Sequence, residues 1–227
     1  MTALVLAILT FMVSHVVLAN APARDVIVGR LGEGAFLALF AAVAAATLAW
    51  VVVAYGDAPY VELWARPGWA RWVPIVVMPF AFVLIVAAYT TPNLSALRQD
   101  KVAEREDPAP GIMRVTRHPM MCSVALWAAS HAIANGDAAG LVLTGGVLVL
   151  ALGGMVLIDV KKRRRLGPAW ARFATATSIV PFGAILGGRA RFDWAGIGWW
   201  RVGLGLAAYA FFLLVHPWFA GVRALPG

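Results

Sequence analysis

Apolar stretches near 2–19, 33–55, 72–90, 119–134, 138–158 and 198–220 follow one another along the chain. Each is close to the length that a ~30 Å hydrocarbon layer requires at ~1.5 Å per residue. A chain of 227 residues that is 62% hydrophobic and 13% charged has more apolar surface than a soluble core of that size hides. Lipid offers no water to unpaired backbone groups, so the segments must be helices or a closed barrel, and the strict alternation of a barrel is absent. The sequence therefore predicts an all-α, polytopic membrane bundle of about six spans, with the bilayer as its principal partner. The fourth span is the shortest, and Asn135-Gly136-Asp137 divides it from the fifth as a tight helical hairpin. No internal repeat is visible, so residues 1–227 read as one domain.

Charge orients this bundle. A net charge of +8 would suggest nucleic acid in a soluble protein. Here fifteen of the nineteen Lys and Arg fall in the loops after spans one, three and five, three fall on the other side, and Arg201 lies at a boundary. The positive-inside rule then puts both termini outside the cytoplasm, as expected for a bacterial inner membrane, and leaves no role for nucleic acid. Lys161-Lys162-Arg163-Arg164-Arg165 reads as a topology anchor and lipid-headgroup contact. Residues 1–19 read as a retained first helix, because no Lys or Arg precedes their apolar core. The single Cys122 excludes an intrachain disulfide and a cysteine-rich metal site.

The loops differ in character. Pro59, Pro67, Trp64, Trp69 and Trp72 predict an outer interfacial segment between spans two and three. Between Asn93 and His118, a charged run around Arg98 to Asp107 before Pro108-Ala109-Pro110-Gly111 predicts a short solvated helix and a break. Leu166 to Ile185, with Trp170, Phe173, Phe182 and Pro181, predicts a chain lying in the cytoplasmic interface.

Only four histidines are available for ligand chemistry. His15 lies near the cytoplasmic end of span one, and His118 opens span four with Pro119 in the favoured first turn. His131 is about 20 Å deeper at helical rise, and His216 is near the outer end of span six. The depths pair His15 with His118 and His131 with His216. A buried haem needs two axial nitrogens, a dry slot and cationic partners for its propionates. The inner pair suits it best, with His15 and His118 as iron ligands and Arg114 and Arg117 as propionate partners. His131 and His216 are expected to pack and to hydrogen bond between helices, with Ser14, Ser130, Asn20 and Asn93 available as partners. Zinc is disfavoured because no carboxylate or thiolate cluster accompanies the histidines.

GIMRVTRHPMMCSVALWAASHAIANGD, the downstream GMVLIDVKKRR, and GWWR followed by LLVHPW together resemble the NnrU family of bacterial membrane proteins. The resemblance covers nearly the whole chain and implies a setting in nitric oxide or nitrite metabolism. It also implies kinship with the 15-cis-zeta-carotene isomerases, integral membrane proteins that use a haem b held by histidines. The first-helix histidine is then similar to His15 and the Arg-His-Pro histidine to His118. The isomerases carry a cysteine just before Arg-His-Pro, where this chain has Val115 and Thr116, which puts ligand switching in doubt. A weaker likeness joins Arg117-His118-Pro119, Asp159 and Leu166-Gly167-Pro168-Ala169-Trp170 to isoprenylcysteine and phospholipid methyltransferases. There Ile158-Asp159 stands in place of an acidic pair and Trp170 in place of a tyrosine. The sequence thus leads to a haem b-binding membrane protein tied to nitric oxide, with polyene isomerisation as the alternative and S-adenosylmethionine-dependent methyl transfer third. As an enzyme it would be isomerase-like.

Overall fold

A computed structural model describes residues 1–19, 23–96 and 99–225, so Asn20 and Arg98 lie outside the described residues. The described residues form α1 (Thr2–Ala19), α2 (Ala23–Gly56), α3 (Trp72–Thr90), α4 (Ile112–Val115) and α5 (Pro119–Asn135). They continue as α6 (Ala138–Leu166), α7 (Pro168–Ala176), α8 (Gly183–Leu186), α9 (Trp194–Ile197) and α10 (Trp199–Ala220). Five helices are long and apolar enough to cross a membrane: α1, α2, α3 with its preceding turn, α6 and α10. α5, at 17 residues, is shorter than these five and packs among them, in keeping with about six spans. It runs beside α6 from the His118 end to the connection at Gly136.

That connection follows from two residue types. Gly136 ends α5 with φ +69°, a left-handed conformation that glycine adopts without a Cβ penalty. Asp137 then caps α6 by accepting from Gly140 N at 2.8 Å. The loop after α2 docks on the same turn, with Leu63 N donating to Gly136 O at 2.9 Å and Ala138 N to Val61 O at 2.9 Å. Its indoles stay exposed at Trp64, Trp69 and Trp72, as expected of an interfacial segment.

In the bundle, α3 packs between α5 and α10, α5 packs on α6, and α1 packs on α2 and α6. Small residues allow close approach, since a Cβ on Gly146 of α6 would strike Ile8 of α1. A Cβ on Gly205 of α10 would stand 2.7 Å from Val83 Cα of α3. Arg201, about one turn before Gly205, ties the start of α10 to the end of α3, donating to Thr90 Oγ1 and Thr90 O at 2.8 Å each.

Three segments depart from expectation. α2 starts ten residues before 33, and its first part is set off by a non-helical Gly32 at φ 82°. The basic run 161–165 is the end of α6, whose 29 residues extend about 43 Å, past the hydrocarbon layer. In α7, Trp170 and Phe173 are buried in one cluster with Val102, Met113 and Met155, so the apolar side of this helix turns onto the protein. The charged loop before it is likewise only partly solvated, because its single 3-10 turn, Asp100–Glu104, buries Val102 and Ala103.

Candidate functional site

Ionisable side chains gather at the two ends of the bundle. At the basic end, α4 breaks at Thr116 and α5 restarts at Pro119, which holds His118 at the helix cap with 2% exposure. Its Nε2 lies 2.7 Å from Asp159 Oδ1 on α6. The other oxygen, Oδ2, accepts from Arg117 Nη1 at 2.9 Å, so one carboxylate joins both residues of the Arg-His pair. Arg117 Nη2 also donates to Ala174 O and Thr177 O at the end of α7. Burial pushes the Arg117 guanidinium below its usual range, and the Asp159 carboxylate opposes that shift. Thr116 completes the cluster, its hydroxyl 3.2 Å from Cys122 Sγ and donating to Ile179 O.

A second layer of cations covers this cluster. Lys162 donates to Asp100 Oδ1 at 2.7 Å and to Ala96 O at 3.0 Å, and Arg165 also pairs with Asp100. Arg172 donates to Ala103 O. The basic run therefore clamps the third loop as well as facing the headgroups.

The structure brings Arg117 and His118 together on Asp159, but it sends Arg114 elsewhere. Arg114 pairs with Asp107 at 2.8 Å and donates to Ala109 O. His15 lies on α1 against Phe11 and Phe40, with Nδ1 donating to Phe11 O at 2.8 Å. Among the described residues, no hydrogen bond or ring contact links His15 with His118.

For an iron tetrapyrrole the inner residues fit unequally. His15 keeps Nε2 open. His118 holds Nε2 on Asp159, which leaves Nδ1 as its second ring nitrogen, and both arginines already bind carboxylates or carbonyls.

At the opposite end lies a cavity of about 670 Å³ between α3, α5 and α10, roofed by the loop after α2. Its walls include Phe82, Trp127, Tyr209 and Phe212, with Arg66, Arg71 and Arg223 among the polar groups. His131 and His216 both line it. Nδ1 of His131 donates to Trp127 O and Nδ1 of His216 to Val222 O, each at 2.8 Å. Sequence depth paired these residues but supplied no cavity, because the arginines come from a loop and the chain's C-terminal turn. The Asp159 contact was also missed. The available signal was a lone carboxylate in an apolar span, which seeks a partner at its own depth.

Five helices long and apolar enough to cross a membrane, with ionisable side chains set among them, define a polytopic membrane protein with polar sites at both ends. The chain belongs to the NnrU family, whose description, NnrU protein, matches residues 3–224. It is similar to the chloroplastic 15-cis-zeta-carotene isomerase of Arabidopsis thaliana, 29% identical over 194 residues, which is 82% of this chain and 51% of that protein. The Zea mays protein of the same name is 34% identical over 79 residues, 35% of this chain and 22% of that one. The chain thus spans about half the length of the Arabidopsis relative. No solved structure matches it.

Proposed function

We propose that this protein isomerises a cis double bond in a membrane-dissolved polyene of the carotenoid class. The observation that carries the reading is the similarity to the Arabidopsis isomerase along 82% of the chain. The cavity at the α3, α5 and α10 end supports it, because a conjugated hydrocarbon needs an apolar, aromatic-walled space reached from lipid. Isomerisation adds and removes no atom, so no co-substrate is consumed. What the site must do is hold the polyene against Phe82, Trp127 and Phe212, exclude water, and favour the twisted geometry in which the double bond has lost its π overlap.

The bias of Lys and Arg toward the α6 end supports a bacterial inner membrane with that face in the cytoplasm. No contact favours methyl transfer, since Asp159 is already spent on His118 and Arg117. The test is expression in cells that accumulate a 15-cis carotenoid, grown in the dark, with isomers separated by chromatography. The expected result is accumulation of the all-trans bond at that position. An isomer profile identical to empty-vector cells would refute the isomerase reading and return weight to a nitric oxide role.

A further inference from the structure

We infer that the polyene held between α3, α5 and α10 carries a carboxylate at one end, bound by Arg66, Arg71 and Arg223, so that the substrate class is an apocarotenoid acid. The assignment rests on the isomerase reading for the polyene and adds the charged terminus.

The cavity is polarised along its length. Its wall runs on α3 from Pro74 to Phe82, on α5 from Asn135 to Trp127 and on α10 from Ala220 to Tyr209, about 12 to 16 Å at helical rise. The deep end is aromatic, with Phe82, Trp127, Tyr209 and Phe212, and the Tyr209 hydroxyl is engaged with Ile75 O at 3.0 Å. All three arginines lie at the other end: Arg66 in the roof loop, Arg71 in the turn that opens α3, and Arg223 beyond the Gly221 cap of α10. A wall of this kind fits an amphiphile, with its chain among the rings and its polar head at the roof.

The charges set the sign of the head. Among the described residues, none of the three arginines pairs with a carboxylate. Arg66 donates to the Tyr60 hydroxyl at 3.4 Å and lies 5.8 Å from the centre of its ring. Asp137 also lines the cavity, but its Oδ1 is engaged at the α6 cap. His131 and His216, between the two ends, offer a carboxylate nothing, because each Nδ1–H is given to a backbone carbonyl and the remaining nitrogen of a neutral ring only accepts. A hydrocarbon gains nothing from guanidiniums, whereas a carboxylate takes charged N–H groups from them, often in pairs. A head at the roof leaves about two to three helical turns between the charge and the rings that flank the reacting double bond.

The test is titration of the purified full-length chain in lipid nanodiscs, in the dark, with an all-trans apocarotenoid acid and with its methyl ester, read by quenching of tryptophan fluorescence. Wild-type protein should bind the acid about 10-fold more tightly than the ester. Arg71→Gln and Arg223→Gln should each narrow that gap, and the double variant should close it. Ester affinity should stay unchanged throughout, which shows that the cavity is still folded. Arg105→Gln, at the basic end of the bundle, should keep the gap. Phosphates of the surrounding lipid offer the same oxyanion chemistry, so the titrations are run in zwitterionic lipid and again with phosphatidylglycerol added, and an equal gap is expected in both. The inference is overturned if neither ligand binds, if acid and ester bind alike, if the gap survives in the double variant, or if phosphatidylglycerol abolishes it. Conversion of the 15-cis forms is followed separately. Binding as expected without conversion would refute the isomerase reading alone, and conversion with acid and ester bound alike would refute the carboxylate alone.

Discussion

His118 Nε2 and Asp159 Oδ1, 41 residues apart in sequence, stand 2.7 Å from each other and tie the start of α5 to the end of α6. The same carboxylate holds Arg117, so a positive and a negative group balance inside a nearly closed site. Removing only the acid would leave a buried guanidinium and a polar imidazole uncompensated.

Asp159→Leu is therefore expected to cost about 3–5 kcal/mol, the usual penalty for breaking a buried pair from one side. Chemical denaturation in detergent would show it as a lowered midpoint. Replacing the whole set, as Arg117→Met, His118→Phe and Asp159→Leu together, should recover most of the loss. A triple variant no better than Asp159→Leu would mean that the cluster does more than balance its own charge.

Close approach of α10 to α3 makes a second prediction. Gly205→Leu must push Val83 aside and should lower stability by about 1–3 kcal/mol. Tyr209 donates to Ile75 O across the same helix pair, so the variant should also loosen the cavity wall. Gly203→Ala, which meets nothing within 4 Å, is the matched control and should be close to neutral. Thermal unfolding of both in the same detergent distinguishes packing from a general intolerance of α10.

Asp193 gives a pH dependence with a definite sign. Backbone N–H groups of Gly196 and Gly111 donate to its carboxylate and hold its pKa below the ordinary range. Its stabilising contribution is then fully present above about pH 4, the unfolded value, and is lost as pH falls through the lower folded value. The difference in unfolding temperature between wild type and Asp193→Ala should narrow between neutral pH and pH 3. A constant difference would contradict it.

Gly136 links hairpin and cavity. At φ +69° an alanine is strained, and its Cβ would stand 2.7 Å from Arg66 Cγ and 2.9 Å from Trp64 O. Gly136→Ala should destabilise the protein by about 1 kcal/mol or more and displace the loop that roofs the cavity. Faster proteolysis between α2 and α3 would report that displacement.

Five crossings were legible because length and hydropathy alone define them, and the Asn135-Gly136-Asp137 turn that sets off α5 carried its own chemistry. His118 at the cap before Pro119 was legible for the same local reason. Helix rotation was not. The spans are apolar nearly all round, so no stripe says which face turns inward, and the pairing of Asp159 with His118 leaves no local trace. Depth grouped the histidines into two ends but could not show which ring nitrogen each one keeps free. That depends on which carbonyl or carboxylate each ring meets, and for His118 the partner is on another helix. The burial of α7 was likewise hidden, since Trp170 and Phe173 suit a membrane interface as well as a protein core.

The proposed isomerisation stands or falls on purified protein in nanodiscs loaded with a 15-cis carotenoid, kept dark under reducing conditions, with isomers followed by chromatography over time. It predicts loss of the 15-cis form and matching gain of the 15-trans form, at a rate proportional to protein. Isomer ratios that stay with those of protein-free nanodiscs would contradict it.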